Sequence, residues 1–395
     1  MSSVAIIGLG YVGLPLAISA ANAGFRVIGI DNDKAKIAQL KLGKSSVEDI
    51  PSSILQETLS TKKLILDFAY DEIKTSEIII ICVPTPLSQN KPDLSYVFKV
   101  IEEVATRIKK GSLVILESTV QPGTTRNFLL PNLMKYSGFN EIEIDVAFSP
   151  ERVDPLNKKW TLKNTPKIVS GLTSKAKERA VKFYSEFIDE IVECNSVEVA
   201  ETAKLLENTF RFINISFINE FALICSKLGI EVNEVIAAAS SKPYGFMPFL
   251  PGIGVGGHCI PVDPLYLASS AHEVGATTKF IDLAAEINKE LPSLLVKQIE
   301  KTVGRLSGKR ILVIGVAYKP NVSDVRETPV ERLINNLESK GVIVHWHDDL
   351  VKEWNGSFSV PISDNYDFAI IAVRHDYLDL TKLVKVPILS TGSFR

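Results

Sequence analysis

The sequence predicts an α/β protein: two doubly wound units of strand and helix joined by a central helical region. Three observations carry this. The chain opens with an apolar run, Val4 to Ile7, that enters a glycine-rich turn, Gly8-Leu9-Gly10-Tyr11-Val12-Gly13. Short apolar segments alternate with helical patterns up to about residue 190 and again beyond about residue 305. The stretch between them keeps a helical period and has little strand signal. The expected divisions are therefore 1–195, 196–304 and 305–395. A chain of 395 residues is too long for one hydrophobic core.

Each element follows in order. Val4–Ile7 reads as a buried parallel strand, and the helix after Gly10 carries Leu14, Ala17, Ile18 and Ala21 before Gly24 stops it. Val27–Ile30 is the next strand and ends at Asp31. Ile78–Val83 has no polar alternation and is expected to be buried on both faces. Tyr96–Lys109 reads as a helix, and Ser112–Glu117 and Ile144–Phe148 as strands. From Ser196, the residues Ala200, Ala203, Leu206, Phe210, Ile213, Phe217, Phe221 and Ile224 keep helical spacing, which predicts one long helix or two with an apolar stripe. Such a helix can bridge domains or pack against another subunit. Pro243–Pro251 is a loop, and helices are expected at Pro264–Ala271 and Thr278–Thr302. The last unit should hold strands Arg310–Val316, Val342–His345 and Phe368–Val373, with a helix over Glu327–Lys340.

Composition excludes several classes. A net charge of −2 gives no global basic field for nucleic acid or anionic lipid, so any phosphate binding must be local. No apolar run is long enough to predict a membrane span, and the N-terminus lacks the basic region of a signal peptide. The four cysteines, Cys82, Cys194, Cys225 and Cys259, are few and widely spaced. They fit a reduced cytoplasmic compartment better than a disulfide framework, and none has zinc-ligand spacing.

The glycine turn lies between a strand and a helix, the context in which this fingerprint binds a dinucleotide. Gly8 permits the tight turn, Gly10 lets backbone approach a pyrophosphate, and Gly13 lets helix pack on sheet. Asp31, at a strand end, can accept from a ribose hydroxyl, and an acidic side chain there disfavours a 2′-phosphate, so NAD is expected rather than NADP. Val83-Pro84-Thr85-Pro86, Glu117-Ser118-Thr119-Val120 and Ser149-Pro150-Glu151-Arg152 each follow a predicted strand, and their polar side chains should converge on one crevice. Taken singly, each is as well read as a cap or a solvated turn. Lys204 and Asn208 share a helix face and could stabilise a developing oxyanion. Cys259 follows Gly256-Gly257-His258 and precedes Asp263-Pro264. A thiol at a loop-to-helix junction has a lowered pKa, and the glycines would allow a ligand to approach closely. The other three cysteines lie in apolar or helical settings and read as core. Tyr318-Lys319 and Arg326 offer cations to a phosphate-bearing ligand.

In this order and spacing the motifs resemble the UDP-glucose/GDP-mannose dehydrogenase family over nearly the whole chain. The resemblance implies two Rossmann-like domains, the first binding NAD and the last UDP, with a central dimerisation region. It implies a four-electron oxidation of a sugar C6 alcohol to a carboxylate through a thioester on Cys259. Lys204 and Asn208 would hold the C6 oxygen, Asp263 with a water would act as base, and Thr119 and Glu151 would hold the hydrolytic water. NAD would lie against Gly8, Leu9, Gly10, Tyr11, Val12, Gly13, Asp31, Lys36, Pro84, Thr85, Ser118, Thr119 and Arg326. The UDP-sugar would meet Glu151, Arg152, Lys204, Asn208, Phe249, Leu250, Gly256, Gly257, His258, Tyr318 and Lys319. No metal is implied. The segment Lys242–Gly252 is most similar to the branch oxidising UDP-N-acetylhexosamines: UDP-N-acetylglucosamine first, UDP-N-acetylmannosamine second, with UDP-glucose a further alternative. A non-catalytic nucleotide-sugar binder on the same fold is the reading from another class, and the thiol speaks against it. The tail after Leu389 departs from the family's Asp-Arg-Asn-like close.

Overall fold

A computed structural model describes residues 2–88, 91–154, 156–383 and 385–390. The divergent tail from Thr391 onward lies outside the described residues. The chain divides into two compact units, Met1–Leu206 and Glu207–Arg395.

The first unit holds strands β1 (Ser3–Ile7), β2 (Arg26–Ile30), β3 (Leu64–Asp67), β4 (Ile78–Ile81), a short hairpin of β5 (Leu87–Ser88) and β6 (Lys91–Pro92), β7 (Leu113–Leu116), β8 (Asp145–Phe148), β9 (Lys167–Gly171) and β10 (Ile191–Glu193). Eight of these form one sheet in the order β10-β9-β8-β7-β4-β1-β2-β3. All neighbours are parallel except β8 and β9, which run antiparallel. Helices α1 (Gly13–Asn22), α2 (Lys34–Lys41), α3 (Ser52–Ser60), α4 (Ser95–Ala105), α5 (Leu130–Ser137) and α6 (Ser174–Tyr184) complete the unit. The absence of polar alternation in the strands has its expected cause. Val4 and Ile6 enter a core with α1 and α6, whereas Ala5 and Ile7 enter another with α4 and α5.

A continuous helix, α7 (Val197–Leu228), follows. One helix forms, not two, but its apolar stripe is not the buried face. Ala200 is buried, yet Leu206, Phe210, Phe217 and Ile224 are exposed. The side that packs carries Phe212, Ile218, Ala222 and Cys225, interleaved with the buried polar side chains of Ser216 and Asn219. Ser216 Oγ donates to Ala284 O at 3.1 Å and Asn219 Oδ1 accepts from Gly252 N at 2.8 Å on that mixed face, which a search for apolar spacing passes over.

The second unit adds α8 (Val232–Ser240), α9 (Asp263–Glu273), α10 (Lys279–Val303) and α11 (Val330–Ser339). Its parallel sheet has the order β12-β11-β15-β16, from β11 (Arg310–Ile314), β12 (Ile343–His347), β15 (Phe368–Ile371) and β16 (Ile388–Ser390). A hairpin of β13 (Glu353–Trp354) and β14 (Ser357–Phe358) packs on β12, with Trp346 Nε1 donating to Ser357 Oγ at 2.8 Å. Helix α11 begins three residues later than expected from Glu327. Glu327 has φ +50°, outside the helical region, and Pro329 immediately precedes the helix. Among the described residues no helix is long and apolar enough to cross a membrane, and no cluster of His, Cys, Asp and Glu could hold a metal ion.

Candidate active site

The first unit presents its strand ends around the glycine turn. Gly8 takes φ +94° and donates to Ile30 O at 2.8 Å, and a Cβ there would lie 2.6 Å from Cys82 O. A Cβ on Gly13 would lie 1.9 Å from Gly8 O, so α1 can begin where it does only with glycine. A Cβ on Gly10 would meet nothing within 4 Å. The outer side of the turn is thus open where a pyrophosphate would approach, and no side chain at Val12 caps α1. Asp31 is buried; its Oδ2 accepts from Leu9 N and from Lys36 Nζ, each at 2.9 Å, and its Oδ1 accepts from Asp33 N at 3.0 Å. These residues fit a dinucleotide: open backbone for phosphates, and an anchored carboxylate for a ribose.

The neighbouring loops are stitched together. Thr85 Oγ1 donates to Thr119 O at 2.7 Å, and Ser118 Oγ donates to Val83 O at 2.7 Å. Thr119 is half-buried beside them, and Pro84 is exposed. Glu151 Oε1 accepts from Arg152 N at 2.7 Å and Val153 N at 2.5 Å, while Arg152 Nη1 donates to Pro166 O at 2.6 Å. Glu117 does not join the crevice, contrary to expectation. It is fully buried just past the end of β7, paired with Lys167 at 3.2 Å and bonded by the Tyr184 hydroxyl. Burial raises its pKa, with the Lys167 ammonium pulling the other way. Burial and then the Glu117 charge hold the Cys82 thiol well above its ordinary range, and burial raises Cys194. Both sit in poor settings for a thiolate, in keeping with their reading as core.

A second buried carboxylate was not foreseen. Glu201 on α7 accepts from Gly123 N (2.6 Å), Thr125 N (2.8 Å) and Thr125 Oγ1 (2.6 Å), binding the turn that follows Ser118–Val120 to the helix. Burial lifts its pKa to about 7 despite the three donors.

The second unit holds the thiol. Cys259 is exposed, and its carbonyl accepts from Asp263 N at 2.9 Å and Val262 N at 3.2 Å. The helix it precedes starts at Asp263, one residue ahead of the expected Pro264. Asp263 is buried, and its Oδ2 accepts from the buried Asn208 Nδ2 at 2.5 Å. Lys204 lies one turn before Asn208 on α7 and is also buried. The cysteine loop is clamped from both sides: Val255 N donates to Asn288 Oδ1 at 2.6 Å, and Gly257 N donates to Arg326 O at 2.9 Å. The glycines make room for protein as well as for any ligand. A Cβ on Gly257 would lie 2.9 Å from the Tyr318 ring, and one on Gly256 would lie 2.8 Å from Glu327 O. Burial lowers the pKa of His258, and the Arg326 charge lowers it further. Arg326 itself pairs with Asp324 at 2.6 Å, and Lys319 Nζ lies 6.0 Å from the Tyr318 ring centroid. Phe249 packs edge-on against Phe210, with centroids 6.1 Å apart, and Leu250 is exposed.

Comparison with known proteins fits both halves. Models of three domains match the chain in order: the NAD binding domain of the UDP-glucose/GDP-mannose dehydrogenase family over residues 2–188, its central domain over 198–290 and its UDP binding domain over 312–388. The chain belongs to the UDP-glucose/GDP-mannose dehydrogenase family. It is an NAD-dependent oxidoreductase. It is 36% identical to a UDP-N-acetyl-D-glucosamine 6-dehydrogenase of Pseudomonas aeruginosa over 94% of this chain and 90% of the relative. It is 37% identical to a UDP-N-acetyl-D-mannosamine dehydrogenase of Pyrococcus horikoshii over 94% and 89% respectively. A solved structure of a UDP-D-ManNAc dehydrogenase from that archaeon superposes with a TM-score of 0.91 at 33% identity, covering 100% of this chain and 96% of the other.

Proposed function

We propose that this dehydrogenase oxidises the C6 alcohol of a UDP-N-acetylhexosamine, with UDP-N-acetylglucosamine the first candidate, to the uronic acid through a thioester on Cys259. The observation that carries the proposal is the exposed Cys259 ahead of α9, with the buried Asp263–Asn208 pair one helical turn on. NAD, when bound, takes up hydride. Asp263, through an ordered water, removes the proton of the C6 hydroxyl, while Lys204 and Asn208 hold the oxygen. The aldehyde formed is attacked by the Cys259 thiolate to give a thiohemiacetal. Loss of a second hydride leaves the thioester. A water held by Thr119 and Glu151 cleaves it, releasing the carboxylate and restoring the thiol. Each sugar therefore consumes two NAD.

In this reading residues 1–195 bind NAD, through the glycine turn, Asp31, Lys36, Pro84, Thr85 and Ser118, with Arg326 added from the last part. Residues 196–304 carry the thiol and the dimer contact. Residues 305–395 take the UDP through Tyr318 and Lys319, and Arg152, Phe249, Leu250 and Gly256–His258 surround the sugar. The enzyme acts in the cytoplasm as a homodimer and supplies surface polysaccharide synthesis.

UDP-N-acetylmannosamine is the second reading, favoured by the identity and superposition of the Pyrococcus horikoshii relative. An absorbance assay at 340 nm over several UDP-sugars tests both. Two NADH should form per sugar with the native chain, and Cys259→Ser should stop after at most one. One NADH per sugar with Cys259 intact would sink the thioester route, and UDP-sugar binding without turnover would favour the non-catalytic alternative.

A further inference from the structure

The strand ends of the two units are built alike. In the first, Gly8 (φ +94°) donates to Ile30 O at 2.8 Å, Leu9 N donates to Asp31 Oδ2 at 2.9 Å, and Asp33 N donates to Asp31 Oδ1 at 3.0 Å. In the second, Gly315 (φ +82°) donates to His347 O at 2.8 Å, Val316 N donates to Asp348 Oδ2 at 2.9 Å, and Leu350 N donates to Asp348 Oδ1 at 2.9 Å. Each glycine backs onto the carbonyl of the next loop: an added Cβ would lie 2.6 Å from Cys82 O in one case and 2.0 Å from Val373 O in the other. Asp348 therefore holds the place of Asp31.

The two carboxylates differ in what else reaches Oδ2. In the first unit it is Lys36, whose side chain keeps 28% of its surface exposed. In the second it is His375 Nε2 at 3.1 Å, and the side chains of His375 and Asp348 are 1% and 0% exposed. The second carboxylate is thus sealed by the protein. The other ring nitrogen of His375, Nδ1, accepts from Asn321 N at 2.9 Å. A backbone N–H can only donate, so the lone pair lies on Nδ1 and the proton on Nε2, facing Asp348. Asn321 has φ +64° and is locked further by Asp376: its Nδ2 donates to Asp376 Oδ2 at 2.8 Å, and Asp376 N donates to its Oδ1 at 3.0 Å. It forms the corner of the loop that begins at Tyr318 and ends at Arg326, both of which touch Gly257 ahead of Cys259.

We propose that His375 is a positioning residue for the nucleotide end of the substrate. It ties Asp348 to Asn321, and so holds the 318–326 loop in one shape across the ends of β11, β12 and β15. The crevice at the carboxyl ends of such strands is where open α/β sheets take ligands. The inference rests on the reading that the second unit takes the UDP moiety. It assigns His375 no contact with the reacting atoms. The buried pair instead converts the ribose-type carboxylate of this fold into a brace for the loop.

Isothermal titration of the full-length enzyme with UDP, and separately with NAD, tests it. His375→Ala removes both bonds, whereas His375→Asn places an amide oxygen near the position of Nδ1 and keeps the acceptor for Asn321. His375→Ala should weaken UDP about tenfold or more, the scale of one lost buried hydrogen bond, and weaken NAD less, since Arg326 alone of this loop is assigned to NAD. His375→Asn should recover most of that loss. Amide exchange across 319–326 should quicken in the alanine variant and stay near native in the asparagine variant. Long-range 1H–15N NMR of the native enzyme should find His375 protonated on Nε2; this holds even where a variant does not fold. An Nδ1–H tautomer, native UDP affinity in His375→Ala, or equal losses in the two variants would overturn the proposal. Native enzyme that binds NAD but not UDP would instead overturn the underlying substrate assignment, and the first titration shows it.

Discussion

The Asp263 carboxylate accepts from Asn208 inside the protein, four residues from an exposed thiol. If it serves as base through a water, Asp263→Asn removes the basic oxygen while keeping shape, and places an amide against the Asn208 amide. Turnover in the 340 nm assay should fall by about 10²- to 10⁴-fold, the usual worth of a positioned base, with NAD affinity intact. A loss under tenfold would remove Asp263 from that role. Cys259, Asp263, Lys204 and Asn208 were legible in the sequence because each lies in a short spaced motif with a chemical reason for its spacing. Glu201, Lys167, Tyr184 and His375 were not. Each is a polar side chain whose partner lies far along the chain, and only folding decides whether it is solvated or buried. Asp348 could have been found, since it follows a strand that neighbours a glycine turn, as Asp31 does; the incomplete glycine pattern at Gly315 hid it.

Helix α7 shows how an element can be recognised and its faces still be assigned wrongly. Its length follows from an uninterrupted run of residues without proline or glycine from Val197 to Leu228. Its buried side, however, carries Lys204, Asn208, Ser216 and Asn219, so hydropathy alone selects the opposite side. The same helix carries a titratable brace. Glu201 ionises at about pH 7 when folded, against 4.5 for an ordinary glutamate, and burial is the larger cause. A raised carboxyl pKa means that the folded state binds the proton more tightly than the unfolded chain. The associated stability is complete below about pH 4.5 and is lost as pH rises through 7, on the order of 3 kcal/mol at most. Denaturant unfolding between pH 5 and 8 should therefore show stability falling with pH, and Glu201→Gln should flatten that slope. An unchanged slope in the variant would mean that the three donors at Gly123 and Thr125 keep the carboxylate ionised throughout.

At the scale of the molecule, the alternation of strand and helix was readable because buried parallel strands lack polar positions and their connections carry helical spacing. The side of α7 left bare in the single chain would give the proposed homodimer its physical basis. Phe210, Phe217, Ile224 and Leu228 are each exposed by 46% or more, at helical spacing, which is an unusual cost for a solvated face. Sedimentation velocity should show a two-chain species, and Phe217→Glu should shift it towards one chain. A native protein that sediments as a single chain at micromolar concentration would remove the dimer. The four sulfurs also divide by environment. Cys225 is buried, Cys82 and Cys194 are partly covered, and Cys259 stands in the open at the end of a glycine-lined turn. Peroxide or an alkylating agent in limiting amount should therefore reach Cys259 first. A preparation left in air would lose activity while keeping its fold, and early addition of a reductant would restore what had gone no further than the sulfenic acid.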